Sequence, residues 1–514
     1  MIETKSVGTN APRAGRSGAA GLFFAALGLL FVAACTDETI VEVERPFFEQ
    51  PLEAAGGYIG YDEQAEKLTV CGNCHIGQQA GWENTAHADA WAGLQSSSGA
   101  QAFCEGCHTV GPNGSAASAD GGWTTTQDPR YQDVQCENCH GPGATHVSNP
   151  DATQPLASIS VGVIGADGQL VLSQGEFATC GECHQDEHHP YVEEWSQSPH
   201  AQVVESAAAN TSCQACHKAQ ATLQAWGENA DYLEKDGAPL PVVCAVCHDP
   251  HERNFEGQTR FPVATTSIEE HLCARCHNRR SVPLATSTHG LEPHAPESAL
   301  LVGDAGWFPP DANIDVGEIF GTHGSDNNPK LCATCHLPSF PTDVGVATGH
   351  LFRPIPCLGP DGKPLPFGQD CDLAPPARYY GACTGGACHG SEQAAYSALV
   401  AATTRVEHLV EELEELLLEV DPNLAEAGGE IDPTVTTFTT AEGAFFNLEL
   451  ATFGSEEFGT NSVIGSTVHN PFLIEALLIG SIDAVEEEYG VAANLAMDWD
   501  AEMQRVLTSA RNAH

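Results

Sequence analysis

The hydrophobic and polar positions divide the chain into an apolar N-terminal stretch, a polar middle and an amphipathic tail. The middle is rich in Gly and Pro, and its segments are short, which leaves room for single helices. One segment, residues 159–173 (ISVGVIGADGQLVLS), alternates around Ala-Asp-Gly and predicts a small β-hairpin. In the tail, residues 396–420 predict a helix whose apolar face is formed by Val406, Leu409, Val410, Leu413, Leu416 and Leu417. Further helices are predicted at 470–489 and 492–513.

We therefore predict a mainly α protein with extensive irregular loops, a small β-hairpin insertion and a C-terminal helical domain. The predicted divisions are a signal peptide at 1–35, an acidic tether at 36–59, a first module with the hairpin insertion at 60–175, a second module at 176–255, a third region at 256–390 and the helical domain at 391–514.

The divisions of the middle come from one repeated motif, Cys-x-x-Cys-His. Its cysteine pairs are Cys71 and Cys74, Cys104 and Cys107, Cys136 and Cys139, Cys180 and Cys183, Cys213 and Cys216, Cys244 and Cys247, Cys273 and Cys276, and Cys332 and Cys335. The histidines that follow are His75, His108, His140, His184, His217, His248, His277 and His336. Trp82 and His87 follow the first motif, and Trp195 and His200 follow the fourth, which indicates a duplicated module of three motifs.

Cys-x-x-Cys-His is the attachment signature of c-type haem, with the two thiols bonded to one porphyrin and the histidine bound to its iron. Cys-x-x-Cys alone would also suit zinc or redox chemistry. Histidine is rare in this chain, with 23 of 514 residues, yet it follows all eight pairs, which favours haem. The haems would form much of the core, so we expect a haem-packed multihaem cytochrome.

A ninth, longer motif runs from Cys383 through Cys388 to His389, and its two glycines would let the loop fold back. Nine motifs use 18 of the 21 cysteines and leave Cys35, Cys357 and Cys371. We expect nine covalent haems, or eight if the Cys383 motif is not used. If Cys35 carries lipid, the pair Cys357 and Cys371 is expected to form a disulfide.

The second axial ligand of each iron is expected to be histidine, because methionine occurs only three times in the chain. The candidates are His87, His146, His188 or His189, His200, His251, His271, His289 or His294, His323, His350 and His469. His251 lies three residues after His248, too close to reach the far side of the same haem, so it is expected to serve a neighbouring one. Such bis-histidine haems would have low reduction potentials.

Charge and the N-terminus restrict the partners. Lys and Arg minus Asp and Glu gives 20 − 69 = −49, which excludes a nucleic-acid-binding protein. Arg13 and Arg16 precede an apolar stretch that ends Val-Ala-Ala-Cys, a pattern typical of an export signal with a lipidated Cys35, and an uncleaved anchor helix is the alternative. We expect a periplasmic or cell-surface lipoprotein whose partners are other redox proteins, with homo-oligomer formation through the C-terminal helices.

Several motif surroundings resemble the lineage of tetrahaem nitrifier cytochromes, pentahaem nitrite reductases and octahaem hydroxylamine oxidoreductases. The resemblance is carried by CGNCHIGQQAGWENTAHADAW, CENCHGPGATH, CGECHQDEHHPYVEEWSQSPHA and CAVCHDPH, and it extends over about residues 60–490. It implies axial ligands at His87, His200, His251, His323 and His350, and at His469 of the His-Asn-Pro triplet. The chain lacks the Cys-x-x-Cys-Lys motif of the nitrite reductases, and no tyrosine can be assigned to the haem cross-link of the hydroxylamine oxidoreductases.

Two functions follow. The first is electron transfer by a secreted nine-haem cytochrome, without catalysis. The alternative is reduction or oxidation of a small nitrogen or sulfur compound, such as nitrite, hydroxylamine or tetrathionate, at one open haem. Arg275, Arg279 and Arg280 form a basic cluster that could hold an anion, although pairing with haem propionates is the favoured interpretation.

Overall fold

A computed structural model describes residues 55–114, 120–151, 153–164, 170–171, 177–185, 189–229, 238–285, 289–310, 312, 314, 322–343, 345–385, 388–426, 437–454, 462–494 and 498–513. The predicted signal peptide, Cys35 and most of the tether lie outside these residues, as does His188. Residues 50–514 form one compact unit.

The motif region consists of short helices joined by irregular loops, as predicted. Its α-helices are Ile76–Trp82, Ala90–Ser96, Trp123–Thr126, Cys136–His140, Ala144–Ser148, Cys180–Cys183, Tyr191–Ser196, Glu205–Ala209, Gln214–His217, Ala219–Ala225, Cys244–Cys247, Glu297–Val302, Cys332–His336 and Gly381–Thr384. Single 3₁₀ turns lie at Ala55–Gly57, Gln64–Glu66, Cys71–Asn73, His87–Asp89, Ala102–Cys107, Pro129–Tyr131, Pro199–Ala201, Glu256–Gln258, Cys273–Arg275 and Thr322–Gly324.

Three antiparallel hairpins interrupt this region. Val163–Ile164 pairs with Leu170–Val171, which confirms the predicted hairpin insertion. Tyr61–Glu63 pairs with Leu68–Thr69 just before the first motif, and Phe340–Thr342 pairs with Gly345–Ala347 after the eighth. These two hairpins were not predicted from the sequence.

The duplicated modules share the same internal hydrogen bonds. The Trp82 indole donates to the Val134 carbonyl at 2.9 Å, and the Trp195 indole donates to the Val242 carbonyl at 2.9 Å. In turn, the Val134 amide donates to the His87 carbonyl at 3.1 Å, and the Val242 amide donates to the His200 carbonyl at 3.0 Å. Each module therefore ties the segment after its first motif to the strand-like segment before its third motif.

The tail forms the helical domain predicted from the sequence. Its helices are Glu392–Val420, Pro422–Glu426, Thr440–Ala451, Ile464–His469, Pro471–Tyr489 and Trp499–Ala513. The leucine face of the first helix is buried as predicted, against the helices 440–451 and 471–489. Glu475 lies inside this domain with 1% of its side chain exposed, and both Arg405 and Arg505 pair with its carboxylate, at 2.8 and 2.9 Å. In the described part of the chain, no helix is long and apolar enough to cross a membrane.

Candidate haem-binding sites

Several motif histidines are positioned by a backbone hydrogen bond to the first cysteine of their own motif. The amides of His75, His184 and His248 each donate to the carbonyl of that cysteine at 2.9 Å. In the longer ninth motif, the His389 amide makes the same bond to the Cys383 carbonyl at 3.1 Å. The two additional residues are therefore accommodated without moving the histidine away from its first cysteine.

Eight of the nine motif histidines face a second histidine ring across a nearly constant gap. The facing rings, with their centroid distances, are His75 and His146 at 6.2 Å, His140 and His251 at 6.2 Å, His184 and His87 at 6.2 Å, His217 and His294 at 6.1 Å, His248 and His350 at 6.3 Å, His277 and His200 at 6.2 Å, His336 and His469 at 6.2 Å, and His389 and His323 at 6.3 Å.

The distance between the facing ring centroids matches that of two imidazoles bound on opposite sides of one metal ion. An imidazole–metal bond is about 2 Å long and the ring centre lies roughly 1.2 Å behind the nitrogen, so two rings on opposite sides of one ion are separated by roughly 6.4 Å. The eight pairs are thus spaced to accept an iron between them.

The donor set fits haem better than zinc. A structural zinc ion needs four ligands in a tetrahedron. Among the described residues, no group of three or more His, Cys, Asp or Glu side chains is arranged to hold a metal ion. The eighteen motif cysteines form no disulfides, and in eight of the nine motifs the histidine that follows them faces a second imidazole, a ligand set that suits covalent haem.

Burial favours the neutral form of several of the second histidines. It lowers the pKa of His200, His350 and His469 to about 4, with a further contribution from neighbouring histidines. Burial also lowers the pKa of His87. A neutral imidazole retains the lone pair that a metal ligand needs.

Three of the predicted second ligands behave differently. His271 is fully buried, but its Nε2 lies 3.2 Å from the Lys330 carbonyl and its Nδ1 accepts from the Cys273 amide at 3.2 Å, so it faces no motif histidine. His289 lies beside Glu292, at 3.3 Å, and of the pair His289 or His294 it is His294 that faces a motif histidine. His189 has a centroid 6.2 Å from His184, the same distance as His87, but it is exposed and stacks on Tyr191.

His108, the histidine of the second motif, is the exception among the motif histidines. Its Nδ1 hydrogen-bonds the Ala90 carbonyl at 2.8 Å, which leaves Nε2 for a metal. No second histidine ring faces it within the described residues.

Several motif histidines face a histidine that belongs to a different predicted module. His87 of the first module faces His184 of the second, and His200 of the second module faces His277 of the third region. In the opposite direction, His251 faces His140 of the preceding module, not His248 three residues before it. The modules are therefore interlocked.

The motif cysteines also connect neighbouring motifs. The pKa values of the motif thiols are perturbed by thiols of other motifs, most strongly in the pairs Cys71 and Cys136, Cys107 and Cys183, Cys180 and Cys244, Cys216 and Cys276, and Cys273 and Cys332. Charge effects also act between Cys139 and Cys180, Cys247 and Cys273, and Cys335 and Cys383. Taken in order, these interactions run from the first motif to the ninth, with the second and fifth motifs as side branches.

The basic cluster is partly engaged by protein groups. The Arg275 guanidinium lies 4.0 Å from the ring centroid of Phe261. Arg280 donates to the His289 carbonyl at 3.1 Å and lies 3.6 Å from Glu292. These two arginines do not converge on an anion site.

The predicted disulfide is confirmed. Cys357 and Cys371 are joined, with their Cα atoms 6.0 Å apart, and they close the Pro- and Gly-rich loop before the ninth motif. This bond leaves the cysteines of the ninth motif as the nearest free thiols of the segment.

The chain is similar to known cytochromes. Residues 70–141 match the family model for cytochrome c554 and c-prime. Cytochrome c-554 of Nitrosomonas europaea is 30% identical over 106 residues, an alignment that covers 17% of this chain and 43% of that protein. The chain therefore aligns with less than half the length of this relative.

A solved structure extends the likeness to most of the chain. The outer cell wall cytochrome OcwA matches 84% of this chain and 100% of its own length, with a TM-score of 0.50 and 17% identity. That level of identity shows the fold alone. The chain thus has the fold of a multihaem cytochrome, and its motifs with the match at residues 70–141 support covalently bound haem c and haem-based electron transfer.

Proposed function

We propose that the chain is a nine-haem electron relay whose irons are all held between two histidines. The observation that carries the proposal is the set of eight histidine pairs with centroids 6.1 to 6.3 Å apart. Haem c held in this way supplies a one-electron centre that cycles between ferric and ferrous iron. With methionine absent from these ligand pairs, the potentials are low, which suits exchange with other bis-histidine cytochromes.

The contacts between motifs support a relay, because electron transfer weakens steeply with distance. The interactions between motif thiols support an order of attachment sites along the main path, each acting on the next one. The two ends of this path are also where motif thiols reach the surface: Cys74 of the first motif and Cys388 of the ninth are exposed, while the other sixteen motif cysteines are partly covered. The first and ninth sites are therefore the proposed points of exchange with redox partners.

The ninth pair is proposed from the repeat. His294 faces His217, the histidine of the middle motif of the second module, and stands two residues before Pro296 in the region that follows that module. His188 stands in the same register, two residues before Pro190, in the repeat that follows His108. By this correspondence His188 is the second ligand at the His108 haem.

A second candidate function is chemistry on a small nitrogen or sulfur compound at the His108 haem. The observation in its favour is that the described residues present no second ring to His108. An iron with an open axial position binds small ligands, whereas an iron between two histidines resists them.

Carbon monoxide separates the two functions, because it binds ferrous haem that has an open position. We expect the reduced protein to bind no carbon monoxide, and His188→Ala to bind one molecule per chain. His189→Ala is the matched control and should bind none, because His87 already faces His184. Binding of one carbon monoxide by the unmodified protein would contradict the relay and favour the second function.

The proposed location is a membrane surface outside the cytoplasm, with Cys35 carrying the lipid. The basis is the sequence pattern around Cys35. Cys35→Ser should move the protein from the membrane fraction to the soluble fraction, and unchanged retention would argue against the lipid anchor.

A further inference from the structure

The histidine of the seventh motif, His277, is held by a carboxylate. Its Nδ1 lies 3.3 Å from Oε2 of Glu297, the first residue of the helix Glu297–Val302. The backbone strengthens this arrangement, because the Ser298 amide donates to the His277 carbonyl at 3.0 Å. Glu297 and Ser298 together fix both the ring and the main chain of His277.

Other paired histidines use a weaker acceptor at the same nitrogen. Their Nδ1 atoms face backbone carbonyls: His140 faces Pro155, His146 faces Thr153, His248 faces Gly257, His323 faces Val468, His336 faces Phe352 and His469 faces Gly465. A carbonyl orients the ring. A carboxylate also draws the proton towards itself, which raises the electron density on the metal-binding nitrogen.

The repeat shows that the carboxylate replaces another residue type. In the second module, Pro190 and Tyr191 open a six-residue helix, and the Val192 amide donates to the His184 carbonyl at 3.2 Å. In the third region, Pro296 and Glu297 open a helix of the same length with the same bond, from Ser298 to His277. Where Tyr191 packs its ring against His184, at 5.8 Å, Glu297 therefore presents an acceptor to His277.

We propose that Glu297 is a positioning residue that lowers the reduction potential of the haem attached at Cys273 and Cys276. The inference rests on the proposed function, since it requires a haem at the seventh motif. A more basic imidazole donates more electron density to iron and stabilises the ferric form over the ferrous form. The negative charge of the carboxylate acts in the same direction.

The seventh site is the junction of the path, so its potential affects more than one neighbour. Cys273 interacts with Cys332 of the eighth motif and with Cys247 of the sixth, while Cys276 interacts with Cys216 of the fifth. With a low potential at this junction, electrons reside on the neighbouring haems when no partner is bound. Electron transfer between the two halves of the chain then depends on the difference in potential between the partners.

The test is a spectroelectrochemical titration of Glu297→Gln, which keeps the shape and removes the charge. We expect one of the nine haem transitions to move to higher potential and the other eight to stay in place. Glu292→Gln is the matched control: Glu292 lies at the same 3.3 Å distance from a histidine, His289, that faces no motif histidine, so all nine transitions should stay in place. Glu297→Asp keeps the carboxylate and should retain the low potential at least in part.

An unchanged titration of Glu297→Gln, or an equal shift in Glu292→Gln, would overturn the role of Glu297. If Glu297→Gln does not accumulate, the ferric unmodified protein provides the second measurement. One of its low-spin paramagnetic resonance signals should show the smaller g-anisotropy of a strongly donating imidazole, and the absence of such a signal would also overturn the inference. Loss of the seventh haem from the unmodified protein would instead contradict the proposed function.

Discussion

Replacing Gly81 by alanine is expected to open the iron between His140 and His251 while leaving the other pairs intact. Gly81 lies in the helix Ile76–Trp82, and a Cβ atom added there would stand 2.2 Å from the His251 carbonyl oxygen. The atom in the way belongs to the backbone, so the loop that carries His251 must move. Such overpacking costs about 1–3 kcal/mol, and the displaced His251 should leave one high-spin iron per chain.

The matched control is Gly77→Ala in the same helix. A Cβ at Gly77 would have no neighbour within 4 Å, and alanine favours a helix over glycine by about 1 kcal/mol. This variant should therefore keep every iron low-spin and be slightly more stable. A low-spin spectrum in Gly81→Ala would show that the contact does not position His251.

In the second module, the residue at the position of Gly81 also contacts the loop that carries a facing histidine. Glu194 precedes Trp195 as Gly81 precedes Trp82, and its carboxylate accepts from the amides of Thr348 and His350 at 2.7 and 2.9 Å. In the first module, the close approach of Gly81 holds His251, which faces His140. In the second module, the hydrogen-bonded carboxylate of Glu194 holds His350, which faces His248.

Replacing both Cys383 and Cys388 by serine is expected to reduce the covalent haem content from nine to eight. The ninth motif has its histidine bonded back to Cys383 and facing His323 at 6.3 Å, the arrangement of the shorter motifs. Without these two thiols, the haem can form neither of its thioether bonds. Intact mass and pyridine haemochrome analysis of the purified protein measure the loss.

The control is the double variant Cys357→Ser with Cys371→Ser, which removes two cysteines from the preceding loop. It should retain nine haems and lose about 3 kcal/mol of unfolding free energy, because the loop closed by the disulfide gains entropy in the unfolded chain. An unmodified protein with eight haems would mean that the Cys383 motif is not an attachment site.

The sequence predicted the elements whose signals are local. The motif spacing marked the nine histidines, the leucine pattern marked the helix Glu392–Val420, and leftover cysteines marked the disulfide. Gly and Pro around the motifs indicated short helices and loops, as found. These features depend on residues within a few positions of one another, so the pattern alone was sufficient.

The pairing of the histidines could not be obtained in this way. His336 faces His469 of the C-terminal helices. His389 of the ninth motif faces His323, which precedes the eighth motif. Both pairs join residues that are far apart in the sequence. His271 was a reasonable candidate by position, but a buried backbone carbonyl and amide satisfy its ring instead. Glu297 was missed, although the shared register of Pro190 and Pro296 marked the position at which it replaces Tyr191.

Quantitative electron paramagnetic resonance of the oxidised protein, with the spin count set against the haem content of the same sample, tests the central claim most directly. A relay with every iron between two histidines predicts low-spin iron alone, equal to nine per chain. A high-spin signal that integrates to one iron per chain would contradict the account and leave catalysis at the His108 haem as the better explanation.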